Sequence, residues 1–422
     1  MNTQRYQEYK DSGVQWLGEI PGHWEKVKLK VFCKENKEKN KGNIESCVLS
    51  LSYGKVIIKQ NINFGLVPDN YENYQIVNPG YIILRLTDLQ NDHRSLRTGL
   101  VRNRGIITSA YVGLVLKDID SEYTQLLLHT IDIMKVFYGM GGGLRQSMSY
   151  TDIANMYIPV PPLSEQRAIV SYLDSKCEKI DKMIDGKEKQ IALLQELKQR
   201  TIADAVTRGL NPDAKMKTTN ISWLEEIPEH WITRRLGSLF TGDVETNKDF
   251  EFKRAFKFNY GQLVAKNEVG DPEEYHDVYV KYSKIRLGDI LVNGLNLNYD
   301  FVSQRVACAP SEGIITSAYI VCRPREGVNY EYYTFLLKSM DSMKLFHGMG
   351  TGIRLTLSYK EIKKQIVPVP PLSEQRAIVS YINERTEKID TLTSKLQQEI
   401  ESIKEYKQRL ISDVVTGQIK VC

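Results

Sequence analysis

The sequence repeats itself along its length, and this duplication constrains the fold more than any other feature. PVPPLSEQRAIVSY, from Pro159 to Tyr172, returns unchanged from Pro368 to Tyr381, 209 positions later. Other matches recur in the same order in both copies: WLGEIPGHW with WLEEIPEHW, GIITSAY with itself, and DAVTRGL with DVVTGQI. A unit of about 210 residues is far longer than the repeat of a solenoid. Each copy is therefore expected to be a domain with an appendage.

The character of each copy changes at the fourteen-residue motif. Before it, short β-rich runs such as KVIIK and YIILRL alternate with Gly, Asn and Asp, and one helix is predicted near TQLLLHTIDIMKVF. After it, Pro161 and Pro162 stop the preceding element. Ser164 suits a helix cap, and Glu165 lies in the first turn, where the helix dipole favours a negative charge. A helix is predicted to begin there.

Both predicted helices are long and carry a narrow apolar stripe. No proline follows Pro162 before Pro212, so the first helix can run for most of that interval. Because a narrow stripe needs a partner helix, we expect the helices of the two copies to pair. Apolar residues recur at three- and four-residue steps at Ile169, Leu173, Cys177, Ile180, Ile184, Ile191 and Leu194, and at Ile378, Ile382, Ile389, Leu396, Ile400, Ile403, Leu410 and Val414.

The predicted fold is α+β. Two similar globular domains of mixed helix and strand are joined by two long helices, which form an antiparallel coiled coil with pseudo-twofold symmetry. The first domain is expected over residues 1–160 and the second over residues 210–369. The central helix is expected over residues 161–209 and the distal helix over residues 370–422.

Composition narrows the class of protein. The chain has 422 residues, of which 41% are hydrophobic, and this suits two or three domains with real cores. A net charge of +5 permits a polyanionic partner without requiring one. The polar start MNTQRYQEYKDSG and the absence of long apolar runs favour a cytoplasmic protein. The six cysteines include no C-x-x-C pair, so neither a zinc site nor a disulfide framework is expected.

The ordered set of motifs resembles the specificity subunit of type I restriction-modification systems. It comprises the repeated W-L-G-E-I-P-x-H-W entry, the P-x-P-P-L-x-E-Q-R-A-I-V helix start, and two variable β-rich segments separated by long helices, from about Trp16 onward. The resemblance implies a non-catalytic protein with two target-recognition domains. Each would recognise one half of a bipartite double-stranded DNA site, and the helices would form a spacer.

The same resemblance implies partners and cofactors. Two adenine-methylating (M) subunits and the motor-nuclease (R) subunits would dock on this chain, which would make no membrane contact. S-adenosylmethionine, Mg²⁺ and ATP would be bound by those partner subunits. No cofactor, metal or catalytic residue is expected on this chain itself.

Comparison of the two copies indicates candidate DNA contacts. Basic residues present in both copies suit phosphate, which every DNA sequence presents. Residues that differ between the copies after YIILRL and GDILVNGL suit base readout, since arginine matches guanine and asparagine or glutamine matches adenine. The phosphate candidates are Lys59, Lys266, Arg97, Arg305, Arg145 and Arg354. The base-readout candidates are Arg85, Asp88, Gln90 and His93 in the first copy, and Asn293, Asn296 and Asn298 in the second.

Two other classes of function are compatible with parts of the sequence. The first is a fused DNA methyltransferase or nuclease with a divergent active site. FYGMGGG resembles a cofactor-binding glycine loop, and Asp213 with Glu251 and Lys253 loosely follows a nuclease pattern. The second is a coiled-coil adaptor that recognises proteins. Cofactor binding by the isolated chain would distinguish the first class, and salt-dependent DNA binding with the partners would distinguish the second.

Overall fold

A computed structural model describes residues 4–59, 70–92, 95–140, 147–266, 272–350 and 355–421. The chain divides into two compact units. Unit 1 comprises Met1–Lys187 and Gln398–Cys422, and unit 2 comprises Glu188–Gln397. The divisions lie inside the two long helices, whereas the predicted domains ended where the helices begin. Each unit therefore contains one globular domain together with part of both helices.

Unit 1 is built around a four-stranded antiparallel sheet in the order β4-β11-β8-β9. Strand pairs β1-β2, β3-β12, β5-β6 and β7-β10 surround it. The elements are β1 Tyr9–Asp11, β2 Glu19–Pro21, β3 Glu25–Lys28, β4 Cys33–Glu35, β5 Leu49–Ser52, β6 Lys55–Ile58, β7 Gln75–Val77, β8 Ile82–Leu84, β9 Thr98–Leu100, β10 Gly105–Ile107, β11 Val112–Leu116, α1 Ser121–Ile133, α2 Tyr150–Ala154, β12 Tyr157–Val160 and the long helix α3 Leu163–Arg208.

Unit 2 repeats this plan with the sheet order β16-β23-β20-β21. Its elements are β13 Met216–Ile221, β14 Leu224–Pro228, β15 Ile232–Arg235, α4 Leu236–Leu239, β16 Phe240–Thr241, β17 Phe256–Asn259, β18 Gln262–Ala265, α5 His276–Tyr279, β19 Ser283–Ile285, β20 Ile290–Val292, β21 Val306–Cys308, β22 Gly313–Ile315, β23 Ile320–Pro324, α6 Tyr330–Ser342, α7 Tyr359–Ile362, β24 Ile366–Val369 and the long helix α8 Leu372–Val415.

The two long helices occur close to where the sequence predicts them. α3 begins at Leu163 and α8 begins at Leu372, directly after the double prolines. Within each unit the helices pack antiparallel. In unit 1, Lys407 Nζ lies 2.6 Å from Asp181 Oδ1, and in unit 2, Lys198 Nζ lies 2.7 Å from Asp390 Oδ1. The buried stripe in unit 1 comprises Ile169, Leu173, Ile180, Ile184, Ile400, Leu410 and Val414.

The repeated fourteen-residue motif connects each domain to its helix. His23 Nε2 lies 2.8 Å from a carboxylate oxygen of Glu165, and His230 Nε2 lies 2.8 Å from the equivalent oxygen of Glu374. The next residue, Gln166, donates its side-chain N–H to the carbonyl oxygen of Pro161 at 2.8 Å. The motif is therefore explained by a structural junction between the I-P-x-H-W turn and the first turn of the helix.

A buried tyrosine from the short helix of each domain secures the end of a long helix. Tyr123 in α1 donates its hydroxyl to the carbonyl oxygen of Val415 at 3.1 Å. Tyr332 in α6 donates to the carbonyl oxygen of Val206 at 2.8 Å. Both rings are fully buried, so domain and helices share one core within each unit.

Candidate nucleic-acid interface

The divergent candidate residues lie on equivalent loops in the two units. Loop A, residues 85–97, connects β8 to β9, and loop B, residues 293–305, connects β20 to β21. Strands β8 and β20 are completely buried in the central sheets. Each loop therefore leaves a rigid strand, which is the arrangement in which scaffolds commonly display binding residues.

Loop A is folded around the guanidinium of Arg97. Its Nη1 donates to the carbonyl oxygens of Arg85 at 3.2 Å and Thr87 at 2.8 Å. Its Nη2 donates to the carbonyl oxygens of Asp88 at 3.2 Å and Asp92 at 2.5 Å. A planar guanidinium presents several N–H donors in a fixed geometry. One side chain at the end of the loop thus fixes the path of its beginning and middle.

Arg305 does the same in loop B. Its Nη1 donates to the carbonyl oxygens of Asn293 at 3.1 Å and Leu295 at 2.8 Å. Its Nη2 donates to the carbonyl oxygens of Asn296 at 3.5 Å and Asp300 at 2.7 Å. The two arginines therefore bind carbonyl groups at the same relative positions, although the side chains along the loops differ.

The structure corrects the predicted role of Arg97 and Arg305. Both residues are 0% exposed, and their guanidinium groups donate to carbonyl oxygens of their own loops. A side chain enclosed in this way does not present its charge to a phosphate. Their presence in both copies is explained by the loop backbone, whose shape is the same in the two units although the side chains differ.

An aspartate from the short helix of each unit supports the arginine backbone. Oδ2 of Asp132 accepts the backbone N–H of Arg97 at 2.6 Å, and Oδ2 of Asp341 accepts that of Arg305 at 2.6 Å. Burial raises the pKa of both carboxyl groups, because desolvation disfavours their charged forms. Neither aspartate is among the residues predicted from the sequence, although D-x-M-K recurs in the two copies at Asp132 and Asp341.

The base-readout candidates of loop A differ in their exposure to solvent and in their contacts. Gln90 is exposed. Arg85 is half-buried, and its Nη2 lies 3.4 Å from Oδ2 of Asp92. Asp88 has a left-handed backbone with φ of 59° and accepts a hydrogen bond from Asn91 Nδ2 at 2.8 Å. His93 lies outside the described residues.

Loop B repeats the backbone geometry with other side chains. Asn296, equivalent to Asp88, is exposed and has φ of 52°. Aspartate and asparagine tolerate the left-handed region better than most residues, so backbone conformation contributes to the choice of residue at this position. The Asn293 side chain accepts the backbone N–H of Leu295 at 3.2 Å, and Asn298 is half-buried. Phe301, which occupies the position of His93, stacks on His347 with ring centroids 4.6 Å apart.

The remaining phosphate candidates are two lysines at equivalent positions of the two units and two arginines outside the described residues. Lys59 and Lys266 are half-buried and directly follow the hairpin strands β6 and β18. The Lys266 ammonium lies 3.2 Å from the Tyr282 hydroxyl and 5.2 Å from the centre of its ring. Arg145 and Arg354, which follow the glycine-rich sequences GMGGG and GMGTG, lie outside the described residues.

The structure gives no support to the nuclease pattern. Glu251 Oε2 lies 2.7 Å from Lys284 Nζ, and Lys253 forms an ion pair with Glu273. No cluster of His, Cys, Asp or Glu suited to a metal ion occurs among the described residues. The described residues also contain no helix that is both long enough and apolar enough to cross a membrane.

The two units share an α+β fold and an arginine-bound loop whose side chains differ, so the chain contains two related domains. The profile of the type I restriction modification DNA specificity domain matches residues 21–193 and 228–402. The chain therefore belongs to this family and carries the domain twice.

Individual relatives agree with this assignment. The specificity subunit of the type I restriction enzyme MjaVIII from Methanocaldococcus jannaschii is 26% identical over 287 residues, which cover 63% of this chain and 63% of the relative. The specificity subunit of EcoBI from Escherichia coli is 23% identical over 291 residues, covering 64% and 60% of the two chains. The alignments thus span less than two thirds of these relatives.

Solved structures show the same fold. The HsdS subunit from Thermoanaerobacter tengcongensis matches 95% of this chain and 98% of its own with a TM-score of 0.52 and 17% identity. A chain from a study of complex assembly and conformational transition of the type I R-M system matches 94% of this chain and 98% of its own, with a TM-score of 0.66 and 16% identity.

Proposed function

We propose that this chain is the DNA sequence-specificity subunit of a type I restriction-modification complex. Unit 1 recognises one half of a bipartite double-stranded DNA site, and unit 2 recognises the other. The observation that carries the proposal is that loops A and B have the same arginine-bound backbone and different side chains. Such a pair suits two sites that share the shape of duplex DNA and differ in their bases.

The proposed role is recognition without catalysis. M subunits would methylate adenine and R subunits would supply ATP-driven movement and cleavage, with S-adenosylmethionine, Mg²⁺ and ATP bound by those partners. The names of the relatives, which are specificity subunits, support this division of labour. Two recognition domains held in one chain bind cooperatively, because the second contact is effectively intramolecular.

Mapping methylated adenines in a host genome tests the proposal. Cells that carry the M subunits are compared with and without this chain. We expect one bipartite motif to be methylated only when the chain is present. Methylation that is independent of the chain, or S-adenosylmethionine binding and methyl transfer by the isolated chain, would contradict the proposal and favour the fused-enzyme alternative.

Purified complexes test the adaptor alternative. A recognition subunit should bind duplex DNA with an affinity that falls steeply with salt, since phosphate neutralisation releases counterions. A complex that assembles normally and shows no preference for duplex containing both half-sites would favour a protein adaptor instead.

A further inference from the structure

Each unit displays a tyrosine at the tip of a β-hairpin. The β5-β6 hairpin turns at Tyr53-Gly54, and the β17-β18 hairpin turns at Tyr260-Gly261. Tyr53 is 91% exposed and Tyr260 is 83% exposed. The two rings therefore contribute little to either core, and yet the same pair of residues forms the tip in both copies.

The backbone at these tips disfavours tyrosine. Tyr53 and Tyr260 both have φ of 45°, and the following glycines have φ of 76° and 72°. Two-residue hairpin turns with positive φ at both positions strongly favour Asn-Gly or Asp-Gly, because a bulky side chain is strained there. A strained and exposed aromatic residue is poorly explained by folding and points to a binding role.

The tips lie against the ends of loops A and B. A Cβ added to Gly54 would be 3.2 Å from Cβ of Leu96, and one added to Gly261 would be 2.5 Å from Oε1 of Gln304. Leu96 and Gln304 directly precede the loop-binding arginines. Each tyrosine is thus displayed next to the loop proposed to recognise DNA bases.

Each hairpin packs into a buried cluster of its unit and carries one positive charge. Leu49 and Val56 of the first hairpin pack in a buried cluster with Ile83, and Phe256 and Leu263 of the second pack with Leu291. Each hairpin also exposes one lysine, Lys55 in the first and Lys257 in the second. An exposed aromatic ring on a hairpin that also carries a positive charge suits a polyanion such as a nucleic acid.

We propose that Tyr53 and Tyr260 are DNA-contacting residues, one for each half-site, whose rings pack against the sugar-base surface of the duplex without reading its sequence. This inference rests on the proposed function. The contact is independent of sequence because the same residue serves two recognition domains whose loops differ. Such a contact tolerates any base, since the deoxyribose groups are the same at every position of the duplex.

Tyr53→Asn separates binding from folding. Asparagine is favoured at this turn position, so thermal unfolding of the variant should occur at the same temperature or higher. The complete complex with its M subunits should bind a duplex containing both half-sites about fivefold more weakly at fixed salt, the loss expected when an aromatic ring that is partly buried by binding is removed. Tyr53→Phe keeps the ring and should bind like the wild type, and Tyr260→Asn should repeat the loss.

The outcomes distinguish this inference from the proposed function. If the wild-type complex prefers the bipartite duplex and Tyr53→Asn binds it equally well, the tyrosine assignment is wrong. Equal losses in Tyr53→Asn and Tyr53→Phe would also overturn it, as would a variant that no longer assembles with the M subunits. A wild-type complex without preference for the bipartite duplex would overturn the proposed function itself.

Discussion

Nη1 of Arg97 lies 2.8 Å from the carbonyl oxygen of Thr87, and the equivalent atoms of Arg305 and Leu295 are also 2.8 Å apart. Each unit thus uses one buried cation to organise a loop, and the side chains of the two loops have diverged. A constant backbone with variable side chains lets base preference change while the loop keeps its shape. Under the proposed function, the arginine is therefore a positioning residue for DNA recognition.

Replacing Arg97 with lysine should impair one half-site selectively. Lysine keeps the charge and lacks the planar set of donors, so several carbonyl groups of loop A lose their partner. We expect a loss of roughly 1.5–3 kcal/mol in the free energy of unfolding, the usual contribution of hydrogen bonds to a charged group. Methylated-site mapping should show relaxed sequence preference at the half-site of unit 1 only.

Arg305→Lys is the matched control for this substitution. It should leave the half-site of unit 1 intact and relax the other one. If either variant lowers methylation at all sites equally and leaves the base preference at both half-sites unchanged, the arginines contribute to stability alone.

Gln90 is an exposed readout candidate of loop A. Gln90→Ala should relax preference at one base position, because a good bidentate contact contributes about 1–3 kcal/mol of discrimination. Stability should hardly change, since the side chain is exposed. Methylation mapping measures the preference, and Asn296→Gly in loop B, which keeps the left-handed backbone, should affect only the other half-site. An unchanged consensus in both variants would remove these two residues from the readout set.

Lys59 is expected to act on all DNA sequences alike. Lys59→Ala should weaken binding of the complex uniformly and reduce the salt slope, d log K/d log[salt], by about one. Titrations of specific and unrelated duplexes over a range of salt concentrations measure both effects. A change in base preference at either half-site would contradict a phosphate contact.

His129 gives unit 1 a pH-dependent stability. Burial, with a smaller contribution from the nearby Lys407 ammonium, lowers the pKa of His129 below its ordinary value. The unfolded chain therefore takes up a proton at a higher pH than the folded chain, and stability falls as pH decreases below about 6.5. The slope from this group is at most about 1.4 kcal/mol per pH unit.

His129→Gln removes the titrating group from α1. Urea unfolding of the wild type and the variant between pH 7.5 and 5 should show a flatter pH dependence in the variant. Parallel curves for the two proteins would show that His129 does not contribute to the decline.

The helices were easier to predict from the sequence than the loops. The double proline, the acidic first turn and the apolar period placed the start of α3 within two residues of Leu163, because these signals are local. The role of Arg97 could not be predicted in this way. Its partners are backbone carbonyl groups 5 to 12 residues earlier, which have no side-chain signature. A repeated surface arginine and a repeated buried arginine look identical in sequence.

The conformation and position of the tip tyrosines also could not be predicted from the sequence. Tyr-Gly recurs in the two copies, but the sequence pattern does not reveal that Tyr53 adopts positive φ or that it meets the end of loop A. The positions of the unit boundaries inside the helices could not be predicted from the sequence either. Each unit includes part of α3 packed against part of α8, so its boundaries do not coincide with the ends of a helix.

Duplicating one domain tests the central claim of two independent recognition domains most directly. Residues 1–160 are replaced by a second copy of residues 210–369, and methylated adenines are mapped in cells that carry the M subunits. We predict a bipartite site in which both halves carry the sequence now recognised by unit 2, because each domain determines its own half-site. A site in which the unit 1 half-site persists, or in which the unit 2 half-site also changes, would contradict the account.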